Sequence, residues 1–523
     1  MEYAGFKWIA EQTGIVPMQP FRVVSSIGPA RKSTRHGHEG VTEEVYKPQL
    51  RPEPTIPAHL TFALKYEIIH LEFLSRLFQV IDPAIIENWV RSEPNGIFAR
   101  RAGFLYEWLT GKRLDVPDAG GNYIAALPED KYLTATRPVN HRRWRVRDNM
   151  PGTKDFCPIV YRSDQVTAAE NYDCAKALSE LEVEYGAEIL LRSAVWLTVK
   201  ESRASFAIEH EERQVDRIRR FAAAMEERCG QGGNPLDAKE LTELQGAILG
   251  EATRYGFRRS PIFVGHVSGY SEIVDYIGPH WDHTASLLTG LQAVLLRTRS
   301  RSAILRAAVA SFGFVYFHPM ADGNGRISRF LVNDVLRRDG AIPEPFIVPI
   351  SATITTTSRA KAGYDHALEK FSRPLLGRYK EHYRFGQEMT YRDGVKSNFH
   401  FDAYDDALHA WRYMDLTSHA EYLGEVVRTT IQSEMEKEAM YLRNLERARE
   451  GVKNWLEGPN PDIDRIIRSV SQGGAWKVSN QLSREFPQLE DASIATGVVD
   501  AVRKAFSANG LCSDEGANDS LEE

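Results

Sequence analysis

The segment from Phe314 to Arg338, FVYFHPMADGNGRISRFLVNDVLRR, constrains the fold of this 523-residue chain more than any other segment. An apolar helix end is followed by a polar turn that contains Gly323, Asn324 and Gly325, and then by a second, amphipathic helix. In such a helix-loop-helix, backbone N–H groups converge at the N-terminus of the second helix, where the helix dipole is positive. The segment therefore predicts an anion cradle, and a phosphate is its natural occupant.

Four charged or titratable side chains lie in or beside this turn. Arg326 and Arg329 stand three residues apart, so both guanidinium groups can lie on one helix face and clasp the outer phosphates of a nucleotide. Asp322 supplies a hard oxygen beside the same phosphates, which is the arrangement that Mg²⁺ prefers. His318 is the only nearby group whose ordinary pKa, about 6.5, lets it accept a proton at neutral pH. We interpret His318 as the candidate base.

Two structural interpretations of the same turn need no catalysis. One is a plain connector between two helices, and the other is a calcium-binding loop. An EF-hand loop needs further acidic or carbonyl ligands and a glutamate at its last position, whereas Arg326 and Arg329 place positive charge near there. The turn therefore lacks the ligands of a calcium-binding loop. A plain connector is left as the alternative to an anion-binding site.

The segment resembles the motif of the Fic-domain family, His-Pro-Phe-x-Asp/Glu-Gly-Asn-Gly-Arg-x-x-Arg. Here the motif spans His318 to Arg329 and reads HPMADGNGRISR, so Met320 in place of Phe is its one departure. The resemblance covers about residues 160–390. It implies an enzyme that transfers AMP from ATP to a Ser, Thr or Tyr hydroxyl of a target protein, with Mg²⁺ as cofactor and pyrophosphate as product.

The resemblance also implies a role for each site residue. His318 deprotonates the hydroxyl, Asp322 holds Mg²⁺, and Arg326 and Arg329 bind the β- and γ-phosphates. The other residues that it places at ATP are Gly323, Asn324, Gly325, Ile327 and Ser328 of the motif, Val264, Gly265 and His266 of a flap strand, and Tyr364 beside the adenine. Asp365 stands where the family commonly has a second tyrosine.

A further resemblance concerns regulation. Many Fic proteins carry a Ser/Thr-x-x-x-Glu-Gly/Asn segment, whose glutamate pairs with the second arginine of the motif and blocks the γ-phosphate of ATP. Ser205 and Glu209 fit this pattern, although His210 replaces Gly or Asn. The resemblance thus implies inhibition by Glu209 through Arg329, and the alternative is that Glu209 is a solvated helix carboxylate.

Patterns outside the motif predict a mainly α protein. Apolar residues at spacings of three and four predict one helix over 59–80, while β-branched and aromatic residues between 255 and 283 predict a short β-hairpin flap on the Fic-type helical core. We predict an N-terminal mainly helical region with extended segments (1–150), a Fic-like catalytic domain (151–390), a long-helix connector (391–458), a winged-helix or helix-turn-helix-like unit (459–512) and an acidic, disordered tail (513–523).

Charge and composition limit the partners. Lys plus Arg total 65 and Asp plus Glu total 71, so the whole chain lacks the basic excess typical of nucleic-acid-binding proteins. Lys477, Asn480 and Arg484 of the C-terminal unit can still contact DNA, but its few basic residues favour a helical accessory that presents targets. Scattered cysteines and the lack of a long apolar run predict a cytoplasmic protein without a membrane segment.

Three functions follow from these features. The first is an AMP transferase restrained by Glu209, with self-modification and a homodimer left open. The second is another enzyme on the same scaffold, which removes AMP with a water aligned by Glu209 or moves a different phosphate-containing group. The third is a DNA-binding regulator whose Fic core senses nucleotide. The identity of the target protein is not encoded in any motif.

Overall fold

The computed structural model describes residues 2–36, 40–211, 213–250, 256–268, 271–472 and 476–507. The chain divides into two compact units, one formed by Met1–Ala175 with Thr198–Thr430 and the other by Lys176–Leu197 with Ile431–Glu523. α-Helices dominate the described residues, which confirms the predicted mainly α fold class. Within these ranges no helix is both long enough and apolar enough to cross a membrane.

The helices are distributed along the whole chain. In order they are α1 (Gly5–Thr13), α2 (Ile56–Tyr66), α3 (Leu71–Val80), α4 (Pro83–Ser92), α5 (Ile97–Thr110), α6 (Asp164–Glu170), α7 (Cys174–Tyr185), α8 (Ala187–Ile208), α9 (Val215–Arg228), α10 (Ala238–Leu249), α11 (Trp281–Arg297), α12 (Ala303–Phe317), α13 (Asn324–Arg338), α14 (Ile350–Thr355), α15 (Ser358–Tyr379), α16 (Tyr404–Arg412), α17 (Thr417–Thr429), α18 (Glu436–Lys453), α19 (Asn460–Gln472), α20 (Asn480–Glu485) and α21 (Ala492–Ser507). A π-helical segment, Thr430–Met435, joins α17 to α18.

The strands form small sheets. They are β1 (Glu2–Ala4), β2 (Val23–Ile27), β3 (Lys32–His36), β4 (Val41–Tyr46), β5 (Ile124–Ala125), β6 (Val139–His141), β7 (Val146–Asp148), β8 (Phe263–Ser268), β9 (Ser271–Ile277), β10 (Tyr383–Thr390) and β11 (Lys396–Phe401). The sheet orders are β1-β2-β4-β3, β5-β7-β6, β8-β9 and β10-β11. Among the paired strands of the described residues, β2–β4 and β5–β7 are parallel and the others are antiparallel.

The helix predicted over 59–80 is wrong as one continuous element. α2 and α3 are separate helices, and Glu67 and His70 have extended backbone between them. The Glu67 carboxylate accepts a hydrogen bond from the backbone N–H of Phe6 at 2.8 Å. The His70 side chain accepts one from the N–H of Phe73 and thereby caps α3. A long-range bond and a cap therefore interrupt a sequence whose apolar residues are periodic throughout.

Helices α12 and α13 pack side by side at the centre of the larger unit. Most of α12 is buried, including Leu305, Ala308 and Phe314, as its apolar sequence requires. α13 buries Ile327 and Leu331 against it. The helix-loop-helix that the sequence predicts is thus present, and its two helices lie in the core.

Two β-hairpins stand beside this helix pair. β8 and β9 pair antiparallel with a bulge between Val264 and Gly265, which confirms the predicted flap. β10 and β11 form a second antiparallel hairpin that the sequence patterns did not predict. The Phe263 ring in the flap lies 5.3 Å from the Phe385 ring and 4.8 Å from the Phe399 ring, measured between centroids. The second hairpin therefore braces the base of the flap through aromatic contacts.

The smaller unit has a core of its own. Its buried residues are Leu445, Ala448, Val452, Leu456, Ile463, Ile466, Ile467, Val470, Leu482, Leu489, Val498, Val502, Ala505 and Phe506. In the described part of this unit the helices α19, α20 and α21 follow one another without a β-strand. Lys477, Asn480 and Arg484 are exposed. The predicted acidic tail, 513–523, lies outside the described residues, and the division into five regions stays a prediction.

Candidate functional site

The loop between α12 and α13 is fixed by its own backbone and by one amide. His318 ends α12 in the left-handed conformation, with φ 46° and ψ 54°, and Gly323 precedes α13 with φ 81°. The Asn324 side chain accepts a hydrogen bond from the N–H of Met320 at 2.9 Å and donates one to its carbonyl oxygen at 2.8 Å. Asn324 therefore closes the loop with its side chain, and only its backbone is left for a phosphate.

The N-terminus of α13 has the geometry of an anion cradle. The N–H of Ile327 bonds to the carbonyl of Gly323 at 2.9 Å, so the preceding N–H groups of the first turn have no partner inside the helix. Ser328 Oγ donates to the carbonyl of Gly325 at 2.7 Å, and the Ile327 side chain is fully buried in the core. These two side chains therefore support the helix itself.

His318 lies at the edge of a cavity of about 790 Å³. Its Nδ1 lies 2.7 Å from the carbonyl oxygen of Val315, and because a carbonyl only accepts, Nδ1 carries the proton. Nε2 is then the basic nitrogen. The pKa of His318 is lowered to about 4, chiefly by burial; the hydrogen bond to Val315 opposes this shift and the positive charge of Arg258 contributes to it. The imidazole is therefore neutral at pH 7, the form in which it can accept a proton.

The two motif arginines are almost fully buried and are both held by carboxylates. Arg329 donates from Nη2 to Glu209 Oε1 at 2.6 Å and from Nε to Ser205 Oγ at 2.7 Å. Arg326 Nε lies 2.9 Å from Glu209 Oε2, and its Nη1 donates to Glu211 Oε2 at 2.6 Å. The structure thus brings Ser205 and Glu209 together with both arginines, and it adds Glu211.

Glu209 lies at the cradle itself. A Cβ built on Gly325 would be 2.3 Å from Glu209 Oε1, so the carboxylate rests against the bare Cα of this glycine at the start of α13. The turn that follows α8 gives Glu209 this position. Within it His210 has φ 59°, a left-handed conformation that glycine and asparagine adopt more readily. The backbone therefore keeps the shape that Gly or Asn would favour, although the residue is histidine.

Asp322 has one engaged and one available carboxylate oxygen. Oδ1 accepts from the N–H of Gly323 at 2.6 Å and from Arg326 Nη2 at 3.2 Å. Among the described residues Oδ2 has no hydrogen-bond partner, and the side chain is 38% exposed. The described residues contain no cluster of three His, Cys, Asp or Glu that could bind a metal by protein groups alone. A cation here would need oxygens from a bound ligand.

The flap places only part of its predicted residues near His318. Val264 is 43% exposed and lines the same cavity. Gly265 lies against the backbone of Ile273 in the paired strand, and a Cβ there would meet the Ile273 carbonyl at 2.2 Å. His266 is not one of the residues that line the cavity, but its Nδ1 lies 2.8 Å from Oδ2 of Asp275, which does line it.

The cavity continues along α15. Tyr364 is buried and lies near Arg329, whose charge partly offsets the rise that burial produces in the pKa of the tyrosine. Asp365, at the family's second tyrosine position, lines the cavity together with Glu369 and Ser372. Two carboxylates therefore lie on this wall of the cavity, one of them where the family commonly has a second tyrosine.

Three residues that contact the loop or a motif arginine were not predicted from the sequence patterns. Gln245 donates to the carbonyl of Asp322 at 2.8 Å and accepts from the N–H of Gly256 at 3.1 Å. Arg258 donates to the carbonyl of His318 at 2.5 Å. Glu211, described above, is the third. No local pattern marks these residues, because their roles arise only when distant segments meet at the loop.

Part of this chain matches known proteins. Residues 235–336 match the Fic/DOC family. The chain is 34% identical over 112 residues to the protein adenylyltransferase Fic of Aedes aegypti, which is 21% of each chain. It is 33% identical over 124 residues to the protein of the same name from Drosophila virilis, which is 22% of each chain. The chain thus matches about a fifth of the length of these curated relatives.

A solved structure of a Fic family protein from Desulfovibrio desulfuricans G20 is 14% identical, with a TM-score of 0.34, over 66% of this chain and 88% of that chain. The assignment depends on the matched segment, which includes the whole motif from His318 to Arg329. This chain therefore contains a domain of the Fic/DOC family over residues 235–336.

Proposed function

We propose that this protein is an adenylyltransferase that transfers AMP from ATP to a hydroxyl of a target protein, and that Glu209 holds it inactive in the described conformation. One observation carries the proposal. The Glu209 carboxylate contacts both motif arginines and lies against Gly325 at the N-terminus of α13. An internal anion at this place indicates a site built for a substrate anion.

In the proposed reaction His318 is the base. The target hydroxyl oxygen attacks the α-phosphorus of ATP, its proton passes to Nε2 of His318, and the bond from the α-phosphorus to the bridging β-oxygen breaks to release pyrophosphate. Nε2 is available because Nδ1 donates to Val315. A bound triphosphate beside the ring raises the pKa of the imidazole from about 4 toward neutral, where a base is most effective.

The start of α13 and the two arginines bind the phosphates in this proposal. Backbone N–H groups of the first turn and the guanidinium groups of Arg326 and Arg329 stabilise the charge that builds up on the leaving pyrophosphate. Because both arginines are almost fully buried, their charge is poorly screened by solvent. The arrangement works by positioning and by charge, which is what phosphoryl-group chemistry mainly requires.

Asp322 fits a magnesium ligand, since its Oδ2 has no partner among the described residues and Mg²⁺ binds one or two carboxylates with phosphate oxygens and water. When bound, Mg²⁺ would neutralise charge on the phosphates. Arg326 already contacts Oδ1 of the same carboxylate and would keep that oxygen oriented. Magnesium dependence and a cytoplasmic location both remain predictions from the sequence.

Inhibition follows from the same contacts. Arg329 cannot bond to Glu209 and to a γ-phosphate in one pose, because the carboxylate already occupies the guanidinium edge at 2.6 Å. Glu211 adds a second carboxylate on Arg326. Entry of ATP therefore requires that the segment after α8 moves away from α13 or that its carboxylates are removed.

The experiment compares wild type, Glu209→Gly, His318→Ala and the double variant for incorporation of AMP from labelled ATP with Mg²⁺. We expect Glu209→Gly to incorporate more AMP than wild type, with a mass gain of one AMP group on the chain itself or on a lysate protein. His318→Ala should abolish transfer and leave Mg·ATP binding largely intact. Equal labelling of wild type and Glu209→Gly would reject the inhibition, and labelling of the double variant would reject His318 as the base.

The alternatives are less well supported by these contacts. Removal of AMP would need Glu209 to align a water, whereas both of its oxygens lie on arginines in this structure. Binding of DNA by the smaller unit would depend on Lys477, Asn480 and Arg484, which are exposed but few. A gel shift with the full chain separates this class from the transferase.

A further inference from the structure

Arg258 is the buried cation nearest to the backbone of His318. Its side chain lies between the end of α12 and the flap, and the residue is 2% exposed. The guanidinium donates to four carbonyl oxygens, which are those of His318 at 2.5 Å, Phe317 at 3.3 Å, Ser260 at 3.0 Å and Pro279 at 2.5 Å. Four carbonyl partners for one side chain indicate a residue that organises the backbone around it.

No carboxylate among the described residues forms an ion pair with Arg258. Its charge is balanced instead by carbonyl groups at the C-terminus of α12, where the helix dipole is negative. Burial lowers the pKa of Arg258 to about 10, so the guanidinium is still charged at pH 7. A buried cation without an acidic partner is costly, and the four carbonyls explain how it is tolerated.

The contacts of Arg258 fall on the catalytic loop. His318 adopts φ 46°, which is strained for a residue with a Cβ. Next to it, the backbone N–H of Arg258 donates to Pro319 at 3.0 Å, and Ala321 donates to Gly256 at 3.0 Å. The segment that carries Arg258 therefore runs along the loop from 319 to 321 and holds the left-handed turn in place.

The same guanidinium also reaches both ends of the flap. Ser260 precedes β8 and Pro279 follows β9, so one side chain connects the entry and the exit of the hairpin. Asp393, in the turn of the second hairpin, accepts from the N–H of Arg259 at 2.5 Å and from Ser260 Oγ at 2.7 Å. The position of the flap relative to His318 is thus set at Arg258 and supported from the second hairpin.

We propose that Arg258 is a positioning residue for the transfer reaction. This role rests on the function proposed above. Its guanidinium fixes the backbone of His318 and both ends of the flap in one arrangement, so that Nε2 faces the cavity which the flap lines. Arg258 does not contact the motif arginines or the cradle. Its loss should therefore slow the chemical step and leave the binding of ATP nearly unchanged.

The kinetic test uses Arg258→Lys and Arg258→Gln in the Glu209→Gly background, with labelled ATP and Mg²⁺. We expect the maximal rate of AMP incorporation to fall at least about tenfold in Arg258→Gln, with less than about twofold change in the KM for ATP, which is the pattern of a transition-state effect. Arg258→Lys should recover part of the rate, because an ammonium keeps the charge but reaches fewer carbonyls.

Arg101→Lys is the matched control. Arg101 is also buried, at 8% exposure, and donates from Nε and Nη2 to the carbonyl of Ala125, far from the motif in sequence. The same change there should leave both the maximal rate and the KM unchanged. If the maximal rate fell equally in Arg101→Lys, the loss would be a general effect of changing a buried arginine on folding. That result would overturn the positioning role of Arg258.

A readout independent of activity is the ¹⁵N and ¹H spectrum of the His318 ring. In the parent chain we expect a fixed Nδ1–H tautomer, assigned by its loss in His318→Ala, and in Arg258→Lys we expect a shifted signal or a mixture of tautomers. If Glu209→Gly itself incorporates no AMP, the proposed function fails and this spectrum still decides the role of Arg258. Folded Arg258 variants with the parental rate and the parental ring signals would overturn the proposal, as would failure of Arg258→Lys to fold.

Discussion

The Glu209 carboxylate and a phosphate require the same features of position 325. A Cβ on this residue would lie 2.3 Å from Glu209 Oε1 and 3.1 Å from Arg329 Nη1, so any larger residue would displace one of them. Glycine leaves the α13 N-terminus open to a planar carboxylate or to a tetrahedral phosphate. The residue thus serves the inhibitory contact now present and, in our proposal, the substrate that replaces it.

His210 supplies a prediction at the same scale. Its φ of 59° is unfavourable for histidine, so His210→Gly should stabilise the protein by about 1 kcal/mol and make the turn that holds Glu209 firmer. The check is the free energy of unfolding in denaturant. We also expect less AMP incorporation than in wild type, because a more stable turn keeps Glu209 on Arg329.

The control for this change is His366→Gly. His366 is exposed within α15, where glycine should cost about 1 kcal/mol, so the same substitution is expected to act with the opposite sign. If both variants are destabilised, the turn after α8 does not favour glycine and the strain argument is wrong.

The protonation of His318 gives a second prediction. Because the folded-state pKa is lowered from 6.5 to about 4, the ring should stay neutral when the pH falls from 8 to 5 and should gain a proton only near pH 4. The ring signals of His318 in the ATP-free protein, followed by NMR against pH, measure this. A midpoint near 6.5 would show that the ring is solvated and that burial does not set its charge.

Among the elements, α12 and α13 were the easiest to predict. The apolar run of α12, the glycines of the turn and the periodic apolar residues of α13 are local features, and each requires its structure wherever the segment lies. The flap followed from residue types that favour short strands. The anion cradle and its arginines could be predicted for the same reason, since all of them lie within one stretch of the chain.

Elements whose form depends on distant partners were missed or misread. The hairpin β10–β11 is stabilised by rings from the flap, as Phe263 shows by its contacts with Phe385 and Phe399. The break between α2 and α3 depends on a bond from Phe6 to Glu67 across the N-terminal core. Contacts between distant segments leave no signal in a local sequence pattern. For the same reason the roles of Arg258 and Glu211 could not be predicted from the sequence.

Helix α8 makes a second, deeper contact, with the start of α14, and this contact carries a prediction. Glu201 is fully buried, and its carboxylate accepts from the N–H of Ser351 at 2.7 Å and from Ser351 Oγ at 2.5 Å, at the start of α14. Burial raises its pKa to about 7. Between about pH 4.5 and 7 the folded chain keeps a proton that the unfolded chain has released, so stability falls as the pH rises through this range.

Glu201→Gln should remove that part of the pH dependence. We expect the variant to lose less stability than wild type between pH 5 and pH 8, by up to about 3 kcal/mol, as measured by denaturant unfolding at the two values. Glu67→Gln is a matched comparison, because Glu67 is also buried with a pKa raised to about 7. An unchanged slope in Glu201→Gln would place the titrating proton elsewhere.

At the scale of the whole molecule, the electrostatic field does not attract a nucleotide, which is itself negatively charged. The formal net charge is −6, so attraction of a triphosphate depends on the local pair Arg326 and Arg329 and on the α13 N-terminus. In the described conformation Glu209, Glu211 and Asp322 surround that pair and offset its charge. The acidic segment after α8 therefore acts on the binding of ATP both by occupying the arginines and by cancelling their field.

This arrangement predicts how ATP stabilises the full chain. A ligand that binds only the folded state raises the free energy of unfolding by about 2.7 kcal/mol at 100 times its Kd, so the rise in Tm with Mg·ATP reports the affinity. We expect the largest rise in the double variant Glu209→Gly with Glu211→Gln, a smaller one in Glu209→Gly, less in Glu211→Gln, and the least in wild type. Glu211 ranks below Glu209 because it contacts only one motif arginine and is 35% exposed, against 25% for Glu209.

Two further measurements test whether this order of Tm rises comes from the contacts with the motif arginines. Glu226→Gln, at an exposed site on α9, removes the same charge as Glu211→Gln and should leave the ATP effect at the wild-type value. ADP lacks the γ-phosphate that competes with Glu209 for Arg329, so it should separate wild type from Glu209→Gly much less than ATP does. If ATP raised the Tm of wild type and Glu209→Gly equally, the carboxylate would not compete with the γ-phosphate, and the contact at 2.6 Å would be a structural ion pair.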